Sequence, residues 1–309
     1  MTTENYFVTR FNREIKILNE EISNNGKLIT LKSNYPSEYH SNNKLPLFLY
    51  GNSKKAIIFL HGTGNKNLKY LKWFPENIAR FGYKGAMMIL PYHFERTPEN
   101  HKSGELFLDP DRVILRDRFE NALVDCLTVI DYLQDFCDEI YIMGYSFGGF
   151  IAAMAAAMDK RIKKVSLVVT GGNFYHITWK SFVTKVLRVR YEEEGGCDID
   201  TCKKYHGDLY KKYLNNLMNP FINIDSAPIC CMEYDPLTYA KFINQPTIMF
   251  KALFDIFIPS KSTDELHEEI ENSKMKSIPT GHLSSILFKR YILKKTINFF
   301  QRTDLQNVN

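Results

Sequence analysis

Apolar and polar residues follow one another along this 309-residue chain in blocks that predict strands and helices in turn. Residues 56–60 are a nearly continuous apolar run that ends at a glycine-rich turn, which is typical of a strand buried on both faces. Residues 111–136 instead carry apolar side chains at helical spacing. Further strand-like runs lie at residues 26–33, 44–52, 83–93, 139–146, 163–172, 245–255 and 274–281. This alternation favours an α/β fold with a mostly parallel, twisted sheet and helices on both faces.

Two stretches depart from this rhythm. Residues 3–22 have the spacing of an amphipathic helix, which we expect to open an N-terminal extension over residues 1–43. Residues 173–240 predict two or three helices around a polar loop, and they interrupt the sheet between two predicted strands. We therefore expect a single domain over residues 1–309, in which residues 173–240 form a helical cap or lid insertion.

The ends of the predicted strands indicate where a functional site should lie. In parallel sheets of this kind, ligands bind outside the carboxyl ends of the strands. The turns that follow those strands come after Leu60, Pro91, Tyr145, Val169 and Phe254. We expect these turns to meet at one edge of the sheet and to carry the catalytic or binding residues.

One of these turns, GYSFG at residues 144–148, holds a serine between glycines. A strand before it and a helix after it are the setting of a nucleophile elbow, in which a strained serine stands above the sheet edge. A serine hydroxyl needs a base for its proton and donors for the oxyanion that its attack creates. The amide of Phe147, at the helix N-terminus, is the natural first donor, and the amide of Thr63 is the candidate second. His61 is interpreted as a structural histidine that braces the turn around Thr63.

The base and its orienting acid are expected later in the chain. His282 follows the last predicted strand on a Gly-His turn, and Asp255 follows the strand before it. Asp225 and Asp235 precede that earlier strand and are weaker candidates for the acid. The order Ser146, Asp255, His282 fits a catalytic triad assembled at the sheet edge.

These segments resemble the α/β-hydrolase family over residues 44–300, through the motifs LHGTG, GYSFGG, FDIFIP and TGHLSS in the family's order. The short glycine turn and the late Asp-x-x-x-Pro segment are most similar to the dienelactone-hydrolase and prolyl-oligopeptidase branch. The resemblance implies that Ser146 is the nucleophile, that His282 is general base and then acid, and that Asp255 orients it. It also implies an oxyanion hole built from the amides of Phe147 and Thr63.

Several residues near the expected site are candidates for substrate binding. Phe174, Tyr175 and Trp179 lie in the insertion, where they either line an acyl or aryl pocket or form the core of the insertion itself. Tyr145, beside the serine, is a further candidate. Arg96, in a loop at the same edge, either holds a substrate carboxylate or phosphate or, as such loop arginines more often do, pins its own loop.

Composition and charge add few constraints. The net charge of +5 comes from 40 basic and 35 acidic residues, without the basic block that nucleic-acid binding needs. Residues 1–20 lack an apolar signal-peptide core, and no apolar run reaches the ~18 residues of a membrane helix. We therefore expect a cytoplasmic protein with no nucleic-acid partner and no membrane span.

The six cysteines fit a cytoplasmic location, because their spacing suits free, mostly buried thiols. Cys197 and Cys202 are close enough in sequence for a small clip or half a metal site, but no second pair completes a zinc spacing. No metal and no cofactor are therefore expected.

Together these features predict a serine hydrolase that cleaves a carboxylic ester through an acyl-enzyme intermediate. Its expected partner is a small-molecule ester or a related acyl substrate. A peptidase or amidase of the prolyl-oligopeptidase type is the alternative within the enzyme class. A non-catalytic binding protein on the same fold is a further alternative, although all three members of the triad are present.

Overall fold

A computed structural model of the chain describes residues 5–23, 26–64, 67–182, 184, 193 and 197–302. In these residues, nine strands form one sheet in the order β1-β2-β3-β5-β4-β6-β7-β8-β9. The strands are β1 (Ile17–Ser23), β2 (Gly26–Lys32), β3 (Lys44–Tyr50), β4 (Lys55–Leu60), β5 (Lys84–Met88), β6 (Glu139–Tyr145), β7 (Ile162–Val168), β8 (Thr247–Ala252) and β9 (Ser273–Ile278).

The sheet is antiparallel at one edge and parallel through the rest. Strand β2 pairs antiparallel with both β1 and β3, and β3 runs antiparallel to β5. From β5 across to β9, all neighbouring strands are parallel. Parallel neighbours need a crossover connection, which helices between successive strands provide. The prediction of an α/β fold with a mostly parallel sheet is confirmed.

Helices cover both faces of this sheet. They are α1 (Leu68–Arg80), α2 (Arg112–Leu133), α3 (Phe147–Met158), α4 (Phe174–Lys180), α5 (Ile199–Lys204), α6 (Tyr210–Asn216), α7 (Pro236–Ala240), α8 (Ser260–Glu269) and α9 (Lys289–Gln301). The central strand β4 shows the two-sided burial directly. Its residues Ile57 and Phe59 join the core under α1 and α9, whereas Ile58 and Leu60 join the core under α2 and α3.

Short helical turns complete the connections. Single 3-10 turns cover His40–Asn43, Phe94–Arg96, Cys230–Glu233 and Leu283–Phe288, and a π turn covers Tyr205–Leu209. The turn Leu283–Phe288 leads from β9 into α9, so it lies at the carboxyl edge of the sheet.

The N-terminal residues do not form the expected amphipathic helix. Phe7 and Val8 are fully buried, and Val8 has a φ of 73°, which a β-branched residue in a helix does not adopt. The N–H of Val8 donates to the buried carboxylate of Glu120 in α2 at 2.7 Å. Strand β1 then satisfies its backbone by pairing with β2. The helix predicted over residues 3–22 is therefore wrong, and part of the predicted extension, residues 1–43, contributes strands to the sheet.

Residues 173–240 lie between β7 and β8 and contain α4 to α7. Asp235 connects the two ends of this segment. Its carboxylate caps α7 by accepting the N–H of Leu237, and it also accepts the N–H groups of Asn173 and Phe174 at the start of α4, at 2.9 and 2.6 Å. Burial raises the pKa of Asp235 to about 6. The two ends of the segment are thereby joined to each other.

Candidate active site

Ser146 stands at the sharp turn between β6 and α3. Its backbone has a φ of 54° and a ψ of −120°, a conformation that residues other than glycine rarely adopt. Its N–H donates to the carbonyl oxygen of Val168 in the neighbouring strand β7 at 2.8 Å. The strained conformation is thus held by the sheet, as a nucleophile elbow requires.

Two glycines let the strand and the helix meet this closely. A Cβ atom added at Gly144 would lie 2.3 Å from the carbonyl oxygen of Gly148. One added at Gly148 would lie 2.2 Å from the carbonyl oxygen of Leu60 in β4. Both distances are far below van der Waals contact, so a larger residue at either position would push α3 away from the sheet.

Ser146, His282 and Asp255 form a continuous hydrogen-bonded chain. The Oγ of Ser146 lies 2.8 Å from Nε2 of His282, and Nδ1 of His282 lies 2.8 Å from Oδ2 of Asp255. The His282 and Asp255 side chains are 8% and 4% exposed, so water competes little for these bonds. Asp255 follows β8 and His282 follows β9, which places both on neighbouring loops at the edge where Ser146 lies.

Two supports of the imidazole were missed by the sequence analysis. The ring of Phe257 stacks on His282 with ring centroids 4.9 Å apart and an interplanar angle of 11°. The hydroxyl groups of Tyr145 and Ser285 share a hydrogen bond, and Ser285 in turn donates to the carbonyl oxygen of His282. Tyr145 therefore supports the histidine turn, and its binding of substrate stays a prediction. In the sequence, these roles are indicated only by position: Tyr145, Phe257 and Ser285 lie within three residues of Ser146, Asp255 and His282, respectively.

The turn after β4 lies against the serine. A Cβ atom at Gly62 would be 3.0 Å from the Cβ of Ser146. Thr63 and Phe147, the two predicted oxyanion-hole residues, line the same cavity as Ser146 and His282. The structure thus brings together all five residues that the sequence analysis assigned to catalysis.

His61 holds this turn in place. Its Nδ1 hydrogen-bonds the carbonyl oxygen of Gly62 at 2.9 Å, and its Nε2 accepts the N–H of Leu90 at 3.1 Å. These bonds require a neutral ring with its proton on Nδ1, and burial lowers the pKa of His61 to about 3, with His93 adding to the effect. The interpretation of His61 as a structural histidine is confirmed.

A cavity of about 150 Å³ opens beside the nucleophile. Thr63, Ser146 and His282 border it on the catalytic side. Most of its remaining wall is aromatic or aliphatic, from Leu108, Leu115, Phe119, Phe147, Phe150, Phe174, Ile177, Tyr234, Phe257 and Ile258. Smaller polar contributions come from Arg112, Thr178, Ser181, Thr184, Cys197, Cys202, His206 and Cys231. Residues of the segment 173–240 therefore supply much of the wall.

The three aromatic residues of segment 173–240 that were predicted to bind substrate differ in their position relative to this cavity. Phe174 lines the cavity and packs against Phe119 and Phe150, with ring centroids 5.6 and 5.8 Å apart. Trp179 is buried and Tyr175 is half-buried, and the cavity wall includes neither of them. Of these three candidates, only Phe174 lies where a substrate in the cavity would touch it.

Arg96 has a structural role, and the prediction that it binds substrate is corrected. Its side chain is fully buried and pairs with the buried carboxylate of Asp125 at 2.7 Å. It also donates to the carbonyl oxygens of Ile89 at 3.0 Å and Asn42 at 2.7 Å. Enclosed by these partners, the guanidinium pins its loop, which is the alternative role expected of a loop arginine.

The two weaker candidates for the triad acid have structural contacts instead, and Asp235 caps α7 by accepting the N–H of Leu237. Asp225, a weaker candidate for the triad acid, pairs with Arg116 at 2.9 Å. All six cysteines are free. Across the described ranges, no group of three or more His, Cys, Asp or Glu side chains is placed to hold a metal ion. Among the helices of those same ranges, none is long and apolar enough to cross a membrane.

Solved structures resemble this chain over most of its length, whereas no protein-family model and no curated protein matches the sequence. An acetyl xylan esterase from Paenibacillus sp. R4 superposes with a TM-score of 0.62 at 16% identity, covering 93% of this chain and 88% of that one. An esterase from Pyrococcus furiosus gives a TM-score of 0.54 at 16% identity, covering 94% and 92%. An enol-lactonase from Burkholderia xenovorans LB400 gives 0.52 at 16% identity, covering 84% and 97%. At these identities the likeness establishes the fold alone.

Proposed function

We propose that this chain, which has the α/β-hydrolase fold, is a serine hydrolase that cleaves a carboxylic ester through an acyl-enzyme intermediate. One observation carries the proposal: Ser146, at a strained elbow, lies 2.8 Å from a histidine that is itself bonded to a buried carboxylate at 2.8 Å. A serine, a base and an orienting acid in this arrangement are the requirements for nucleophilic catalysis by a hydroxyl group.

The proposed reaction proceeds in two steps. The Ser146 hydroxyl attacks the ester carbonyl while Nε2 of His282 takes its proton, and the imidazolium then donates that proton to the leaving alcohol. In the second step His282 takes a proton from water, which attacks the acyl-enzyme. The imidazolium then returns that proton to Oγ of Ser146 as the bond between Oγ and the acyl carbon breaks and the acid is released. Asp255 holds the imidazole in the required tautomer and stabilises its positive charge. The backbone N–H groups of Phe147 and Thr63 are proposed to bind the oxyanion in both steps.

The volume of the cavity limits the size of the acyl group that we propose it binds. A cavity of about 150 Å³ lined by apolar side chains is about the size that holds one benzene ring. The substrate proposed is therefore a small-molecule ester with a short or single-ring acyl group, and the insertion acts as the cap that shapes its pocket. The names of the structural neighbours, two esterases and an enol-lactonase, support an ester or lactone bond as the target.

A serine-directed fluorophosphonate probe tests the nucleophile. The intact protein should be labelled at Ser146, and Ser146→Ala should not be labelled. Ser181 also lines the cavity, so Ser181→Ala is the matched control and should keep the label. An intact protein that remains unlabelled, or equal labelling of Ser146→Ala, would overturn the proposal. Hydrolysis of p-nitrophenyl acetate by the same three proteins should follow the labelling.

A further inference from the structure

Large exposed apolar side chains lie in the chain segments that carry Asp255, His282 and the cavity residue Ser181. We name this set the apolar rim, and its members are Phe182, Leu253, Phe254, Ile256, Leu283 and Leu287, which are 47% to 80% exposed. Single exposed apolar residues are common on soluble proteins, but a cluster of this size marks a surface that contacts another protein or a membrane.

The rim borders the active site because its members are chain neighbours of catalytic and cavity residues. Phe254 and Ile256 flank Asp255, and Leu283 follows His282. Ser181 lines the cavity while the next residue, Phe182, faces outward. The same backbone segments thus present one side chain to the cavity and the adjacent side chain to solvent.

Backbone hydrogen bonds hold the three segments of the rim together. The N–H of Phe182 donates to the carbonyl oxygen of Ile256 at 2.9 Å, and the N–H of Phe254 donates to that of Thr280 at 3.0 Å. Asp255 fastens the middle segment by accepting two N–H groups of its own loop. These bonds hold the three backbone segments of the rim in fixed positions relative to one another.

Positive charge lies beside the apolar rim. Lys180 and Arg290 are exposed, two residues before Phe182 and three residues after Leu287. No carboxylate in the described part of the chain pairs with either of them. Exposed Lys261 has only a 3.7 Å contact with Glu265. Basic side chains beside an apolar surface complement a bilayer that carries anionic phospholipid.

We propose that the apolar rim docks on the surface of a lipid bilayer containing anionic phospholipid, so that the cavity at Ser146 opens toward the bilayer. We further infer that the molecule taken from the bilayer is an ester. This second step rests on the proposed function, whereas the docking itself does not. The cavity admits only a small acyl group, so the leaving alcohol is the portion of the substrate that dissolves in lipid.

Cosedimentation of the full chain with vesicles tests the docking. Wild-type protein should pellet with phosphatidylcholine vesicles that contain phosphatidylglycerol, and less with phosphatidylcholine alone. Leu283→Ser combined with Leu287→Ser should lower the partition coefficient at least about tenfold, because two apolar anchors are lost. Phe182→Ser, on another segment, should weaken binding in the same direction. Lys180→Gln with Arg290→Gln should lower binding about tenfold, and only on the anionic vesicles.

The opposite edge of the sheet offers a matched control. Ile22 in β1 is 80% exposed, as is Leu287, and Leu18 lies in the same strand. Leu18→Ser with Ile22→Ser should leave vesicle binding unchanged. Absence of wild-type binding, or an equal loss in this control and the rim variants, overturns the proposal. So does a concentration-dependent dimer that the rim variants abolish, because the rim would then cover a second copy of the chain.

Hydrolysis of a water-soluble ester separates this inference from the proposed function. All rim and control variants should hydrolyse p-nitrophenyl acetate at the wild-type rate, since none of the substituted residues lines the cavity. Retained hydrolysis without vesicle binding overturns the docking alone. Vesicle binding without hydrolysis or probe labelling overturns the proposed function and leaves the docking in place.

Discussion

Asp255 holds His282 with one carboxylate oxygen and its own loop with the other. Oδ2 lies 2.8 Å from Nδ1 of His282, while Oδ1 accepts the N–H groups of Phe257 and Ile258, each at 2.8 Å. A carboxylate bonded in this way accepts a proton-bearing Nδ1, so the proton of the neutral imidazole is on that atom. Nε2 is then free of a proton and can accept the hydroxyl proton of Ser146.

Asp255→Asn should therefore abolish most activity without unfolding the protein. The amide keeps an oxygen for the loop N–H groups, but its NH₂ group faces Nδ1 and favours the tautomer with the proton on Nε2. That tautomer cannot accept the proton of Ser146, and kcat should fall about 10³- to 10⁴-fold with little change in KM. Asp264→Asn, which breaks the ion pair with Lys251, is the control and should keep wild-type kinetics. Equal kinetics in the two variants would contradict the role given to Asp255.

The packing of the elbow predicts a second effect, on stability. Gly148→Ala would place a Cβ atom 2.2 Å from the carbonyl oxygen of Leu60, and the helix must move to relieve it. The free energy of unfolding should fall by at least about 3 kcal/mol. Gly82→Ala is the comparison, because Gly82 has a φ of 85° but open space around it. Gly82→Ala should lower the free energy of unfolding by only about 1 kcal/mol, which is the cost of the left-handed backbone conformation for alanine. Urea unfolding measures both, and similar losses would contradict the steric explanation.

The sequence predicted the elements and residues whose positions depend on regular patterns. Buried parallel strands show as apolar runs, and the serine turn shows as a glycine pattern because helix and sheet touch there. Asp255 and His282 were identifiable because each follows a strand, and strands in a parallel sheet end at a common edge. These features depend on local periodicity and chain order, both of which are visible in one sequence.

Features that depend on contacts between distant residues were not predictable in the same way. Residues 3–22 have helical spacing, but the burial of Val8 against Glu120 and the pairing of β1 with β2 override it. The sequence left two roles open for Arg96, substrate binding or pinning of its loop, because its partner Asp125 lies in a helix 29 residues later. The link from Tyr145 through Ser285 spans 140 residues, and no sequence pattern indicated it.

The buried His61 predicts a pH dependence of stability. Burial lowers its pKa to about 3 from an ordinary value of 6.5, so between these pH values the folded chain binds fewer protons at this residue than the unfolded chain. The stability that its neutral form contributes is complete above pH 6.5 and is lost as the pH falls, by up to about 1.4 kcal/mol per pH unit. His61→Gln should be less stable than the wild type at pH 7. Between pH 6.5 and 5, its free energy of unfolding should fall by about 2 kcal/mol less than that of the wild type. Urea unfolding curves of both proteins with the same pH slope would contradict this.

Phe174 should determine the size of the acyl group that the cavity accepts. Its ring lines the cavity and packs on Phe119, Phe150 and Tyr234. Phe174→Ala removes a wall, so the ratio of kcat/KM for p-nitrophenyl octanoate to that for the acetate should rise about 10- to 100-fold. The truncation also costs about 3–5 kcal/mol of stability. Phe174→Leu removes less of the wall and less stability, so its octanoate-to-acetate ratio should lie between those of the wild type and Phe174→Ala.

Tyr175 provides the matched control for this prediction, because it is the next residue in α4 and does not line the cavity. Tyr175→Ala should leave the octanoate-to-acetate ratio at the wild-type value, even if stability falls slightly. A rise in both variants would show that the ratio responds to loosening of the insertion rather than to the lost wall. An unchanged ratio in Phe174→Ala would mean that the acyl group occupies a different part of the site, with the alcohol in the cavity. Only a rise confined to the Phe174 variants supports the cavity as the acyl pocket.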